Sequence, residues 1–152
     1  MLIVYDTERV AGATAGIASC LARALEEVGA EARVCRAREG CPDPSGYDLV
    51  IVGSPIYYER PLPEVISFLD RHGGLEGVKV AVFITCLAAS ERIPSFIREA
   101  ITRKYLAKLL NRVRAEVVST RVFKGWLRRP DPSIVAECRR WCTELLSKGV
   151  HA

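Results

Sequence analysis

The sequence predicts a doubly wound α/β domain: a five-stranded parallel sheet in the order 2-1-3-4-5, held between two layers of helices. Three observations lead there. Short β-branched apolar runs alternate with helical periods along the whole chain, the alternation that right-handed crossovers turn into a parallel sheet. The run Leu49–Val52, set between Asp48 and Gly53-Ser54-Pro55, is apolar at every position, so it is buried on both faces in the middle of the sheet. Three loops, 6–14, 54–59 and 86–91, follow the first, third and fourth strands and meet at one end of the sheet, at the topological switch point.

Taken in order, residues 2–5 form the first strand and 6–12 a loop. Ala13 to Val28 places Ile17, Leu21, Ala24, Leu25 and Val28 on one helix face, and Gly29 stands where a helix ends in a left-handed residue. Ala32 to Cys35 is a short edge strand. Residues 37–46 hold two prolines and two glycines and form a connection rather than a long helix. The third strand spans 48–53, with Gly53 turning the backbone at its end and Pro55 breaking the ladder. A helix over 62–71 buries Leu62, Val65, Ile66 and Leu69 and stops at Gly73-Gly74. Val78 to Thr85 is the fourth strand. A long basic helix covers 93–114 and opens near Pro94. Val117 to Val122 is the last strand, and Lys124 to Arg129, with Trp126, a loop. Asp131-Pro132 reads as an N-cap followed by proline at the first helical position; the final helix runs on to Ser147, and Gly149 closes it. Trp141 falls on its apolar face and belongs to the core.

The whole chain, residues 1–152, is one domain, with 49% hydrophobic and 26% charged residues, the balance of a globular protein with a sizeable core. No apolar run approaches the roughly 20 residues that span a bilayer. The opening Met1-Leu2-Ile3-Val4-Tyr5 lacks a signal peptide's basic region, so a cytoplasmic location is expected. The net charge of +4 is concentrated between Arg92 and Arg129, where Glu99 and Glu116 alone oppose a run of arginines and lysines. This stretch is either a solvated face or a docking surface for an acidic redox partner or an anionic membrane, through helix 93–114. No nucleic-acid-binding motif accompanies it. The six cysteines are expected as reduced, mostly buried thiols. No metal site is expected, because the only histidines are His72 and His151.

The three loops carry the chemistry. The first opens a helix whose free N–H groups favour an anion. Thr7 and Thr14 add hydroxyls, and Gly12 lets the backbone approach a phosphate closely. Tyr57 and Tyr58 offer flat, partly polar faces to an aromatic ring. Phosphate, sugar and flat ring together have the shape of flavin mononucleotide, FMN.

Here the chain resembles the flavodoxin superfamily over nearly its whole length. Tyr5-Asp6-Thr7 leading to Gly12-Ala13-Thr14 is similar to the flavodoxin phosphate loop. Residues 47–58 are similar to its third strand and first ring-contacting loop. Phe83 to Ala88, Tyr105-Leu106 and Val122 to Leu127 resemble one branch, which contains the menaquinone-dependent protoporphyrinogen dehydrogenases. The resemblance implies a flavodoxin-like three-layer α/β/α fold and an FMN-dependent oxidoreductase or electron carrier. Thr7, Gly12, Ala13 and Thr14 would hold the phosphate. Pro55, Ile56, Tyr57 and Tyr58 would flank one side of the ring, and Cys86, Leu87, Ala88, Ala89 and Ser90 the other. No catalytic acid or base is implied. A quinone, a porphyrinogen or a redox protein is the implied partner, and a homodimer is compatible with it.

The chain departs from that pattern in two places. Asp6 stands where the phosphate loop normally begins with a hydroxyl residue, and a carboxylate beside a phosphate dianion is repulsive by a few kcal/mol in a poorly solvated site. The loop is also longer, through Arg9-Val10-Ala11. Two roles stay open for Asp6. Either Arg9 pairs with the phosphate and offsets it, in which case Asp6→Ser tightens FMN binding, or Asp6 caps the helix and the site is degraded. The second role gives the rival reading, a flavin-free binding or assembly module on the same fold. The other departure is the short link from Leu127 to Pro132, where the protoporphyrinogen-oxidising branch carries a longer insertion.

Overall fold

A computed structural model describes residues 1–8, 12–86, 94–126 and 130–148. The strands are β1 (Leu2–Tyr5), β2 (Arg33–Arg36), β3 (Val50–Tyr57), β4 (Arg60–Pro61), β5 (Lys79–Thr85) and β6 (Glu116–Phe123). The helices are α1 (Ala13–Glu27), α2 (Pro63–Arg71), α3 (Ser95–Leu110) and α4 (Pro132–Ser147). The sheet runs β2-β1-β3-β5-β6, with every neighbour parallel. Apart from the two-residue β4, this is the expected five-strand order. Residues 87–91 of the third loop, Leu127–Arg129 and Gly149 lie outside the described residues.

The period of two along each central strand deals side chains alternately to two cores. Ile3, Ile51, Ala81 and Phe83 face α1 and α4, meeting Ile17, Leu21, Leu25 and Trp141. Leu2, Val4, Val50, Val52, Val80 and Val82 face α2 and α3, meeting Val65, Phe68, Leu69 and Leu109. That double burial is why these strands are continuously apolar. Trp141 is wholly buried and sits edge-on to Phe83 and Phe123, at 6.0 and 5.9 Å between ring centroids. Its indole N–H donates to Ser119 Oγ at 2.9 Å, which satisfies its one buried polar group.

Local punctuation follows the sequence. Gly29, at φ +85°, donates to Glu26 O, and Ala30 donates to Leu25 O, a Schellman ending to α1. Asp131 accepts from the Ser133 amide at 2.9 Å and caps α4.

Three expectations are corrected. The third strand does not end at Gly53: β3 runs on to Tyr57, with Pro55 opposite Thr85 in the β5 ladder and Ile56 and Tyr57 paired with Pro61 and Arg60 of β4. Ser54 makes this possible, since its hydroxyl donates to Pro55 O and accepts from the Leu62 amide. The basic helix is shorter than 93–114. It gives way at Asn111 to a turn in which the Arg114 amide donates to Gly74 O, so Arg112 and Arg114 leave its face. The cysteines are not all thiols: Cys35 and Cys41 form a disulfide, while Cys20, Cys86, Cys138 and Cys142 are free. Among the described residues no group of His, Cys, Asp and Glu is arranged to hold a metal ion, and no helix is long and apolar enough to cross a membrane.

Candidate functional site

At the carboxyl ends of β1, β3, β5 and β6 lies a cleft of about 200 Å3. One end is formed by Thr7, Gly12, Ala13 and Thr14, and the sides by Pro55, Ile56 and Tyr57, by Thr85 and Cys86, and by Gly125 and Trp126. A wider groove of about 610 Å3 runs along the outer side of Trp126, between α1 and α4. It touches none of the residues after β3 or β5, so the smaller cleft is the candidate site.

The anion-seeking end is built by α1. Its N-cap is Gly12, in extended backbone, with no side-chain cap and no acidic residue in the first turn. The first intrahelical bond runs from the Gly16 amide to Gly12 O. The amides of residues 13–15 precede it and point out of the helix end, where the dipole favours negative charge. Thr14 Oγ1 lies 2.8 Å from Thr85 Oγ1, tying the first turn of α1 to the end of β5. One hydroxyl proton serves that bond, and the other remains for a ligand. Among the described residues, the helix-end amides and these hydroxyls are the groups that can donate to an anion seated here.

Asp6 neither caps α1 nor faces the cleft. It is fully buried and directed at β2. Its Oδ1 accepts from the Thr7 amide at 2.7 Å, from Arg36 Nη2 at 3.1 Å and from Arg38 Nε at 2.8 Å; its Oδ2 accepts from the Arg38 amide at 2.8 Å. Arg36 Nη2 also donates to Thr7 O at 2.9 Å. Two guanidinium groups therefore neutralise the carboxylate within hydrogen-bond distance, and the repulsion expected between Asp6 and a phosphate is offset from behind. Arg9, the group expected to do this, lies outside the described residues.

Tyr57 and Trp126 bring the aromatic rings to the cleft lining. Tyr57 ends β3, and the chain reverses through Tyr58 and Glu59 at φ +50° and +63°, a two-residue turn of the kind that matches strand twist. Neither residue is glycine, and left-handed backbone costs each roughly 1–2 kcal/mol. Helix α3 holds the turn: Lys108 Nζ donates to Glu59 O at 2.8 Å. The Tyr105 phenol beside it has its pKa raised, first by burial and then by the Glu59 carboxylate, and stays protonated at neutral pH. Tyr58 does not join the cleft. It is 97% exposed at the tip of the turn, because the hairpin points it to solvent.

Trp126 reaches the cleft over α1. A Cβ built on Gly16 would stand 2.4 Å from its Cζ2, so the indole lies directly on the helix backbone. Gly16→Ala would by propensity alone stabilise α1 by about 1 kcal/mol. Here it must displace the indole. The expected result is a red shift in tryptophan emission with no gain in stability, since Trp141 is untouched. An unshifted spectrum with a raised melting temperature would contradict the placement of Trp126.

Of the expected site residues, Thr7, Gly12, Ala13, Thr14, Pro55, Ile56, Tyr57 and Cys86 come together in the cleft. Leu87, Ala88, Ala89 and Ser90 lie outside the described residues. The sequence reading missed Thr85, Gly125 and Trp126. A helix-interior glycine at 16 beside a tryptophan-bearing loop was the available signal for the last.

A family model described as the flavodoxin domain matches residues 2–136. No curated protein matches the chain. Among solved structures, it is similar to oxidised flavodoxin 2 from Bacillus cereus at 26% identity and TM-score 0.66, covering 97% of each chain. It is similar to flavodoxin 1 from the same organism at 19% identity and TM-score 0.66, covering 96% of each. It is also similar to rubredoxin oxygen:oxidoreductase from Desulfovibrio gigas at 19% identity and TM-score 0.67, covering 97% of this chain and 36% of that one. The chain thus spans about a third of the oxidoreductase and nearly the whole of the flavodoxins.

Proposed function

The chain belongs to the flavodoxin domain family, and on that premise we propose that it is an FMN-binding electron carrier or oxidoreductase with its cofactor in the cleft above β1, β3 and β5. One observation supports this most: a helix N-terminus without a side-chain cap and the aromatic residues Tyr57 and Trp126 line the same cleft. The residues present fit a mononucleotide. The amides of Ala13 and Thr14 and the hydroxyls of Thr7 and Thr14 would hold the phosphate, while Pro55, Ile56, Tyr57, Thr85, Cys86 and Trp126 would enclose the ring. When bound, the flavin supplies the electron-transfer chemistry. The protein contributes position, an anion seat of helix-end amides and hydroxyls, and walls that limit water at one edge of the ring. It needs no side-chain acid or base, and none is assigned.

The experiment is a visible spectrum of the purified protein followed by titration with FMN. Flavin absorption as isolated, or saturable quenching of added FMN fluorescence, supports the reading. A colourless protein that leaves FMN fluorescence unchanged favours the rival, a flavin-free binding module. Asp6 and the lengthened loop are the features in favour of that rival; the pairing of Asp6 with Arg36 and Arg38 weighs against the first, and residues 9–11 of the loop lie outside the described residues.

The finer proposal, kinship with menaquinone-dependent protoporphyrinogen dehydrogenases, rests on the motifs at 83–88, 105–106 and 122–127, and the short link at 127–132 weighs against it. For partners, exposed Arg103 and Lys104 on α3, beside exposed Phe96, make the docking surface for an acidic redox protein or an anionic membrane. Binding to anionic vesicles is expected to weaken as salt rises; salt-independent or absent binding removes the membrane from the proposal.

A further inference from the structure

We propose that the Cys35–Cys41 disulfide is a redox latch on this same cleft: closed, it holds Arg36 and Arg38 against Asp6; opened by a dithiol reductant, it releases them and weakens phosphate binding. The inference rests on the FMN reading of the cleft, and its test is chosen to separate the two. The key juxtaposition is that, among the described residues, every hydrogen-bond partner of the Asp6 carboxylate except the adjacent Thr7 amide lies inside the loop that the disulfide closes.

The loop is short and shaped for this. Cys35 lies in β2, opposite Val4 of β1. Arg36 ends the strand, Ala37–Glu39 make one tight helical turn with Ala37 buried, and Gly40 at φ +93° reverses the chain so that Cys41 returns to Cys35. Without the cross-link, β2 is a four-residue edge strand, and such an element opens locally at little cost. Competing carboxylates stand ready for the freed cations: Glu39 already pairs with Arg36 at 3.1 Å, and Glu64 of α2 lies 3.9 Å from Arg38. Asp6 has no such freedom. It directly follows β1 and is buried next to Thr7, which lines the cleft. A carboxylate left there without its cations repels a phosphate dianion.

Both cysteines are half-buried, so a small dithiol reaches the bond. The step balances: two electrons and two protons break the S–S bond and give two thiols, while the reductant's dithiol becomes a disulfide.

The test compares the protein with and without dithiothreitol, by amide hydrogen exchange and by FMN titration. In the reduced protein the amides of Thr7 and Arg38, both donors to Asp6, should exchange about tenfold faster or more, while those of Ile51 and Val82 in the central strands hold their rate. The FMN dissociation constant should rise about tenfold, a change of 1.4 kcal/mol. Cys35→Ser with Cys41→Ser should reproduce both effects without reductant and respond no further to it. Unchanged exchange and unchanged FMN affinity on reduction would overturn the latch. If the oxidised protein does not bind FMN, the cofactor reading fails by itself, and the Thr7 and Arg38 exchange rates alone decide for or against the latch.

Discussion

Asp6→Ala should lower stability by about 2–3 kcal/mol, seen as a lower denaturation midpoint at unchanged slope. Removing one partner of a buried ion pair leaves the other without compensation, at a cost of about 3–5 kcal/mol. The value here is discounted because Arg36 and Arg38 keep 20% and 37% exposure and reach water when released. The Thr7 and Arg38 amides lose an acceptor as well. Asp6→Ser, which tightens FMN binding if the carboxylate faces the phosphate, should instead destabilise the loop. The hydroxyl is too short to span to both arginines, and no exposed charge is removed from the cleft. A variant as stable as the parent would show that the Asp6 network contributes nothing. Tighter FMN binding by Asp6→Ser would return the carboxylate to the phosphate.

Gly53→Ala should cost about 3 kcal/mol or more, above the usual range for one added methyl group in a core. Gly53 sits opposite Phe83 in the register of β3 and β5. A Cβ there would lie 2.0 Å from Phe83 Cζ and within 2.6 Å of two further ring atoms. The ring cannot yield, because it is fully buried and packed edge-on against Phe123 and Trp141 at 5.8 and 6.0 Å. Gly53 is therefore needed for space, not for a sharp turn. The check is a double-mutant cycle in chemical denaturation. Gly53→Ala with Phe83→Leu should lose less than the sum of the single changes, whereas strict additivity would mean that the two positions do not meet.

These cases show how much was legible beforehand. The strand order, the doubly buried β3 and β5, the α1 ending at Gly29, the Asp131 cap and the core position of Trp141 follow from local periodicity and end signals, which are properties of neighbouring residues. That Thr7, Gly12, Ala13 and Thr14 come together was legible for the same reason, since one loop and one helix start supply them. What escaped depends on distant partners. Asp6 finds its cations about 30 residues away, across the β1–β2 pairing. The disulfide needs the Gly40 reversal before Cys41 can meet Cys35. The continuation of β3 past Pro55 depends on a turn that contains no glycine, so no turn signal marked it. Thr85 and Trp126 enter the cleft through packing on Thr14 and Gly16, which composition does not reveal.

The central claim is that the α1 terminus seats a phosphate while the slot beside it takes a flat ring. Calorimetric titration with FMN and, separately, with riboflavin tests it most directly, because the two ligands share the ring and differ in the phosphate. FMN should bind at least about 100-fold more tightly, a difference of about 2.7 kcal/mol, with Thr14→Val narrowing the gap. Equal affinities, or no binding of either ligand, would contradict the account.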